Sequence, residues 1–262
     1  MKTKLTAASL LLVLAAGTAM ADDDLISPCF SPTAHQVIVE AVGLRSQGKT
    51  NQTRYNFIGS SQTVYYGVTD WLTFTLGGYE AWDRARIKVE DLGDFRSHYR
   101  EVEYEGSIML NGAFSKRDFV SLETHFANNR NSLHEHESQL EWTGYYMHQG
   151  ERLTPFVDFG IQQSIDQGRN NDLEGFGDIG LYTQLTENSG VTVDLAISHQ
   201  SATGQRVATT LNIEYGYQVN DHFGVIVGVA TNLHDSGKEH FGERYDRTRW
   251  ATGYHAGLRY RF

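Results

Sequence analysis

The sequence predicts an all-β fold: a transmembrane up-and-down antiparallel β-barrel of about twelve strands, with ten or fourteen strands as alternatives. Three observations lead to this prediction. Segments with apolar side chains at every second position recur along the chain, and short polar turns alternate with longer polar loops. The composition combines abundant glycine and tyrosine with a negative mean hydropathy. Only alternate residues of a barrel strand face lipid, so the mean hydropathy of a membrane barrel can be negative.

The N-terminal region has the features of a secretory signal peptide. Lys2 and Lys4 precede an apolar run that is too short to span a bilayer as a helix, which takes about 20 residues. Ala19-Met20-Ala21 then fits a small-x-small cleavage site. We therefore expect three parts: a signal peptide (1–21), a periplasmic N-terminal segment (22–34) and the outer-membrane barrel (35–262).

Period-two alternation places apolar and polar side chains on opposite faces of a strand. It is clearest in four segments: "VEYEGSIMLNG" (102–112), "VTVDLAIS" (191–198), "VATTLNIEYGYQ" (207–218) and "FGVIVGVA" (223–230). Each apolar face has about five side chains, which suits a tilted strand that crosses a bilayer. The phase of Tyr55–Gly67 is unclear, which leaves a bulge in this segment open.

Two kinds of connection alternate between these segments. Short polar turns lie at 68–71, 115–118, 149–152, 186–190 and 219–221, and polar loops near 46–53, 84–98, 129–137, 165–174, 202–205 and 234–248. Outer-membrane barrels have short periplasmic turns and longer external loops. This layout predicts twelve strands that begin and end on the periplasmic side. A secreted β-sandwich also alternates, but it does not account for the rhythm of short and long connections.

The final residues, "HAGLRYRF" (255–262), place Ala256, Leu258, Tyr260 and Phe262 on one face of a strand. This segment resembles the closing strand of bacterial outer-membrane β-barrels, in which a terminal phenylalanine with apolar residues at alternate positions is typical. The resemblance implies a Gram-negative outer membrane, contact with its lipids, and insertion by the barrel-assembly machinery. Leu258, Tyr260 and Phe262 would form the insertion signal.

Three further segments resemble the transporter-like outer-membrane proteins grouped under the meta-pathway of phenol degradation. They are "YGVTDWLTFTLGG" (66–78), "GFGDIGLYTQL" (175–185) and "YGYQVNDHFGVIVGV" (215–229). The resemblance implies passage of small, often aromatic, molecules across the outer membrane.

The strand face opposite the apolar one is rich in carboxylates. The residues predicted to line the lumen are Glu101, Glu103, Glu105, Glu123, His125, Glu141, Asp158, Asp178, Asp194, Glu214, Arg259 and Arg261. A water-filled lumen with this lining favours cations. Alternatively the same groups form a hydrogen-bonded plug, because small barrels pack their interiors with side chains. The predicted function is a channel or passive transporter for small solutes, and a structural or accessory barrel is an alternative.

The tripeptide "HQS" provides the candidates for catalysis, His199 and Ser201. It resembles the His-x-Ser element of outer-membrane phospholipase A and of lipid A deacylases, and both residues continue an outward face. A histidine two residues from a serine can serve as general base to a nucleophile. The third group that orients the histidine is missing from the sequence pattern. A lipid hydrolase is therefore an alternative, but the favoured assignment is that the chain has no catalytic residue.

The loops carry histidine clusters that could in principle hold zinc or copper. They are "HEHE" (134–137) and a second group formed by His234, Asp235, Glu239 and His240. Solvated loops are favoured, and we expect no metal and no other cofactor. The net charge of −10 argues against nucleic acid as a partner. The sequence does not fix the oligomeric state.

Overall fold

The computed structural model describes residues 25–27, 31–50, 53–89, 93–132, 136–165, 173–200, 206–240, 243–245 and 247–262. The strands in these ranges are β1 (Val37–Thr50), β2 (Thr53–Thr69), β3 (Leu72–Val89), β4 (Gly93–Ala113), β5 (Asp118–Asn131), β6 (His136–His148), β7 (Leu153–Ser164), β8 (Leu173–Thr186), β9 (Ser189–Gln200), β10 (Arg206–Asn220), β11 (Phe223–Asp235), β12 (Lys238–His240), β13 (Glu243–Tyr245) and β14 (Thr248–Arg261). Among the described residues, no helix is long and apolar enough to cross a membrane.

Strands β1–β11 and β14 form one closed barrel in which each strand is antiparallel to its neighbours. β14 pairs with both β1 and β11 and so closes the sheet. β12 and β13 form a separate two-stranded hairpin in the connection between β11 and β14. The prediction of an all-β, twelve-stranded antiparallel barrel is confirmed. Closure leaves no sheet edge with unpaired backbone groups, which a membrane would not tolerate.

The connections agree with the predicted rhythm at one end of the barrel and differ at the other. The short turns fall where the sequence places them, and this end is called the short-turn end below. At the opposite, long-loop end, the predicted loop 84–98 is wrong, since β3 continues to Val89 and β4 begins at Gly93. The outward positions of these strand ends, such as Arg84, Arg86 and Arg96, are charged, so they lack the apolar face that identifies a lipid-facing strand.

The segment whose phase is unclear in the sequence is a regular strand. β2 pairs with β1 without interruption from Tyr66 to Arg54, so no bulge lies within that stretch. The register shift of β2 against β3 lies instead between Gly67 and Thr69, at the short turn.

The outer face of the barrel exposes large apolar side chains. Leu76 is 71% exposed, Phe159 70% and Ile179 61%. A soluble β-sandwich would bury such residues, whereas a barrel in a bilayer presents them to lipid. The outer surface therefore fits a hydrocarbon environment.

Residues near the N-terminus lie inside the short-turn end of the barrel. Leu25 is 0% exposed, Ile26 3% and Ser27 2%. Gly216, on the inner face of β10, leaves room for them, because a Cβ at this position would lie 2.6 Å from the Cβ of Ile26. Residues 25–27 and 31–36 are called the N-terminal segment below.

The second half of the N-terminal segment is fixed to the turn-proximal part of β2. The backbone N–H of His35 donates to the Gly67 carbonyl at 2.6 Å, and the Gly67 N–H donates to the Gln36 carbonyl at 3.0 Å. A Cβ at Gly67 would overlap the carbonyl oxygen of Thr33, so only glycine allows this close approach. The stretch predicted as a periplasmic segment therefore contains residues that contact the barrel wall from within.

Candidate functional site

Seven consecutive strands, β4–β10, each carry a carboxylate on the inner face of the barrel. They are Glu105, Glu123, Glu141, Asp158, Asp178, Asp194 and Glu214, called the carboxylate belt below. Each lies on the face opposite the exposed apolar side chains of its strand. Asp158 and Asp178 are direct cross-strand partners, and the N–H of Asp178 donates to Asp158 Oδ1 at 3.1 Å. Like charges opposite each other are unfavourable, so packing alone does not explain the belt.

Neutral donors and histidines supply the hydrogen bonds of the belt. The Tyr145 hydroxyl donates to Glu123 at 3.0 Å, and the Asn212 side-chain amide donates to Asp194 at 2.5 Å. Nε2 of His125 lies 3.3 Å from the Glu105 carboxylate, and Nε2 of His255 lies 2.8 Å from the Glu214 carboxylate. Neutral donors satisfy the oxygens without cancelling their charge. Where the donors are neutral, the carboxylates keep their negative charge in the middle of the lumen.

The arginines of the inner face lie at its two ends. Among the described strand residues, Arg206 is at the long-loop end, and Arg259 and Arg261 are at the short-turn end. Arg206 forms an ion pair with Asp235 at 2.6 Å, and Arg259 Nε pairs with Glu40. Because these two cations already have their own carboxylates, they do not neutralise the belt.

A cavity of about 340 Å³ lies within the acidic zone. Its lining residues are Thr63, Tyr65, Thr75, Glu105, Met109, Ser121, Glu123, His125, Glu141 and Tyr145. Carboxylates attract cations over a distance, and aromatic ring faces attract ammonium groups at contact. The cavity thus combines two features that favour a positively charged solute.

Hydrogen bonds connect the cavity wall to the N-terminal segment. The Asn111 side chain donates from Nδ2 to Ser31 Oγ at 2.8 Å and accepts at Oδ1 from Ser121 Oγ at 2.8 Å. Ser31 Oγ also lies 3.2 Å from Thr73 Oγ1. Ser121 lines the cavity, so these hydrogen bonds reach from the N-terminal segment to the cavity wall.

The residues predicted to line the lumen all lie on the inner face of described strands. The belt accounts for most of them, and His125 contacts it. Glu101 and Glu103 extend the acidic face along β4 toward the long-loop end, where the Asn129 amide donates to Glu101. Sequence reasoning missed Tyr145, which shares the inward parity of Glu141, and Tyr65, which lies in the segment whose phase the sequence leaves unclear. It also missed the position of the N-terminal segment, which has no periodic signal.

The residues predicted as an insertion signal face outward at the short-turn end of β14. Leu258 is 49% exposed, Tyr260 43% and Phe262 71%. The rings of Tyr260 and Phe262 pack edge to face with their centroids 4.7 Å apart. The three side chains form an apolar surface available to lipid or to another protein.

The candidate catalytic pair is only partly described. His199 is exposed on the outer face of β9, opposite Gly175 of β8 and Val207 of β10. Ser201 lies outside the described residues. On the described outward faces of β8, β9 and β10 there is no carboxylate. The described geometry therefore supplies no group that would orient His199 as a general base.

Of the predicted histidine clusters, only Glu137, His234 and Asp235 have described side chains. Asp235 is fully buried and accepts hydrogen bonds from Arg206 Nε at 3.0 Å and Arg206 Nη2 at 2.6 Å. The backbone N–H groups of Gly237 and Thr248 donate to it at 2.8 and 2.9 Å. Asp235 thus anchors both ends of the last loop. Within the described residues no group of three His, Cys, Asp or Glu side chains could hold a metal ion. His134 and the side chains of His136, Glu239 and His240 lie outside the described part.

Comparison with known proteins gives structural matches only. No family model and no curated protein matches the chain. An outer membrane channel from Pseudomonas putida F1 has a TM-score of 0.66 at 9% identity, over 94% of this chain and 100% of that one. The translocator domain of the autotransporter NalP from Neisseria meningitidis has a TM-score of 0.53 at 9% identity, and the match covers 97% of this chain and 92% of that domain. The NanC porin has a TM-score of 0.53 at 8% identity, and the match covers 85% of this chain and 98% of the porin chain.

At such low identities the comparisons show a shared fold. That fold is the β-barrel of bacterial outer-membrane proteins, as predicted from the closing strand. The finer resemblance to the family of the meta-pathway of phenol degradation stays a prediction.

Proposed function

We propose that this chain is a channel in the outer membrane of a Gram-negative bacterium that passes small solutes and prefers cations. The observation that carries the proposal is the carboxylate belt, of which Glu105, Glu123 and Glu141 line a cavity of about 340 Å³. Rings of charged side chains select ions of the opposite sign in a pore. The exposed apolar outer surface and the similarity to outer-membrane barrels support the location.

The N-terminal segment narrows the proposed pathway at its short-turn end. Leu25, Ile26 and Pro32 occupy space inside the barrel, and each is at least nine-tenths buried. We expect a small conductance as long as the segment stays in place, because the path left beside it is narrow. Insertion by the assembly machinery through Leu258, Tyr260 and Phe262 belongs to the same proposal, as does contact with outer-membrane lipids.

A structural or accessory barrel without transport is the second candidate. The same N-terminal segment favours it, since a segment that never leaves would keep the lumen closed. A lipid hydrolase has weaker support, because the described surroundings of His199 contain no orienting carboxylate.

Ion flux into proteoliposomes tests the proposal. The refolded protein should admit K⁺ faster than Cl⁻, and liposomes with heat-unfolded protein should admit neither. If the folded protein passes neither ions nor small neutral solutes, the channel proposal is wrong and the accessory barrel replaces it.

A further inference from the structure

The hydroxyl groups of the cavity wall have already donated their protons to the wall itself. Thr63 Oγ1 donates to Glu105 Oε1 at 3.3 Å. The Tyr145 hydroxyl donates to Glu123 Oε2 at 3.0 Å, and Ser121 Oγ donates to a neighbouring amide oxygen at 2.8 Å. A hydroxyl group has one proton and two lone pairs. Toward a molecule that enters the cavity, these three groups therefore act as acceptors.

The carboxylates of the cavity add acceptors and negative charge. Glu105, Glu123 and Glu141 line it, and the described lining contains no lysine or arginine. His125 lies 3.3 Å from Glu105 and is the cross-strand partner of Glu141. Even a fully protonated His125 would compensate only one of the three carboxylates. An ionised carboxylate only accepts hydrogen bonds, so a molecule that satisfies this wall must bring both donors and positive charge.

The size and the remaining lining of the cavity suit an organic molecule. Its volume of about 340 Å³ lies at the lower end of the range of ligand pockets, about 300–1,000 Å³. Met109, Tyr65 and Tyr145 belong to the lining, and thioether and aromatic side chains pack well against hydrocarbon. In the described part of the chain, no three His, Cys, Asp or Glu side chains converge closely enough for a metal ion. The carboxylates therefore surround a space wider than the coordination sphere of a metal.

The combination of aromatic rings and carboxylates continues from the cavity toward the long-loop end. The rings of Phe57 and Tyr79, on the inner faces of β2 and β3, stack with their centroids 6.0 Å apart. Tyr79 is the cross-strand partner of Glu103 on β4, the next inward position after Glu105. Aromatic ring faces attract ammonium groups, so the approach from this end favours the same class of molecule as the cavity does.

We propose that the cavity binds the protonated primary amine group of a small aliphatic amine. A primary ammonium group has three N–H donors, no acceptor and a full positive charge at neutral pH, which matches the acceptors of the wall. The hydrocarbon chain packs against Met109 and the two tyrosines. The inference names the solute class of the proposed channel and rests on that function, since the amine would enter through the same lumen.

A binding measurement by isothermal titration calorimetry tests the inference on the refolded barrel in detergent, with detergent alone as the blank. The probe is n-butylammonium. It is compared with 1-butanol, which has one donor and no charge, and with tetramethylammonium, which has the charge and no donor. The test variant is Glu123→Gln/Glu141→Gln. The matched control, Glu80→Gln/Glu187→Gln, removes the same charge from the outer surface and from a turn.

The wild type should bind n-butylammonium at least about tenfold more tightly than either comparison compound, because only the primary ammonium group makes charge-assisted hydrogen bonds. This comparison needs no variant. The control should bind n-butylammonium like the wild type, and the test variant at least about tenfold more weakly. Equal binding of n-butylammonium and tetramethylammonium would overturn the inference. Full displacement by an equal concentration of K⁺, or an equal loss in the control, would also overturn it.

The binding measurement and the flux measurement separate this inference from the proposed function. A barrel that admits K⁺ into liposomes but does not bind n-butylammonium contradicts the inference and leaves the channel intact. A barrel that binds n-butylammonium with the expected preference but passes no ions contradicts the channel and leaves the amine site.

Discussion

Arg259 Nη1 donates a hydrogen bond of 2.7 Å to the backbone carbonyl oxygen of Leu25. This contact joins the closing strand of the barrel to a segment 234 residues away in sequence. The same side chain pairs with Glu40, and both are largely buried, at 9% and 14% exposure. Arg259 therefore links the N-terminal segment to the barrel wall, and Glu40 fixes the position of its guanidinium group.

Arg259→Lys tests this role. Lysine keeps the charge beside Glu40 but loses the planar fork that reaches Glu40 and Leu25 together. Loss of the hydrogen bond to Leu25 should weaken the hold on the segment by about 1 kcal/mol and raise the mean conductance in planar bilayers. Arg152→Lys, at an exposed turn, is the control and should leave conductance unchanged. A conductance of Arg259→Lys equal to that of the wild type would show that Arg259 does not hold the segment.

Gly216→Ala should displace the N-terminal segment by steric overlap. The new Cβ would lie 2.6 Å from the Cβ of Ile26, and overpacking of this kind costs about 1–3 kcal/mol. We expect a higher conductance and faster proteolysis of the N-terminal segment. Gly43→Ala is the matched control, because its Cβ would meet only the Ala256 carbonyl oxygen at 3.9 Å. Identical behaviour of the two variants would contradict the placement of Ile26.

Asp235→Asn should loosen the last loop. Breaking a buried ion pair costs about 3–5 kcal/mol, and the 25% exposure of Arg206 reduces this to about 2 kcal/mol. Samples heated before electrophoresis should change from the gel mobility of the folded barrel to that of the unfolded chain at a lower temperature than the wild type. Asp221→Asn, in an exposed turn, should not change it. Added zinc should shift neither protein, since Asp235 is occupied by Arg206. A zinc-dependent rise in the wild type would restore the metal hypothesis.

His199→Ala should have no effect on lipid hydrolysis. The purified protein is expected to release no fatty acid from phospholipid or lipid A, because no carboxylate orients His199 on the described outer face. Mass spectrometry of lipid extracts checks this. Release of fatty acid that disappears in both His199→Ala and Ser201→Ala would replace the channel proposal with the hydrolase.

The barrel could be predicted because lipid and lumen impose opposite demands on successive residues. Val191 and Thr192 alternate along β9 for that reason, and the same phase places Asp194 inside. The prediction failed at 84–98, where Arg84 and Arg86 occupy the outward positions that are apolar in a lipid-facing strand.

The position of the N-terminal segment could not be read from local patterns. Leu25 and Ile26 are an ordinary apolar pair until the fold places Gly216 beside them. Arg54 and Arg96 are likewise distant in sequence, and only the strand register brings both opposite Arg86. Both placements result from tertiary pairing, which periodicity does not encode.

The reversal potential across a planar bilayer in a KCl gradient tests the central claim most directly. The carboxylate belt should move the potential toward the equilibrium potential of K⁺, and the preference should decline as salt screens the charges. Neutralising Glu105 and Asp158 together, as Glu105→Gln/Asp158→Asn, should reduce it, whereas Glu80→Gln on the outer surface should not. A potential near zero or toward the Cl⁻ equilibrium value in the wild type at low salt would contradict the account.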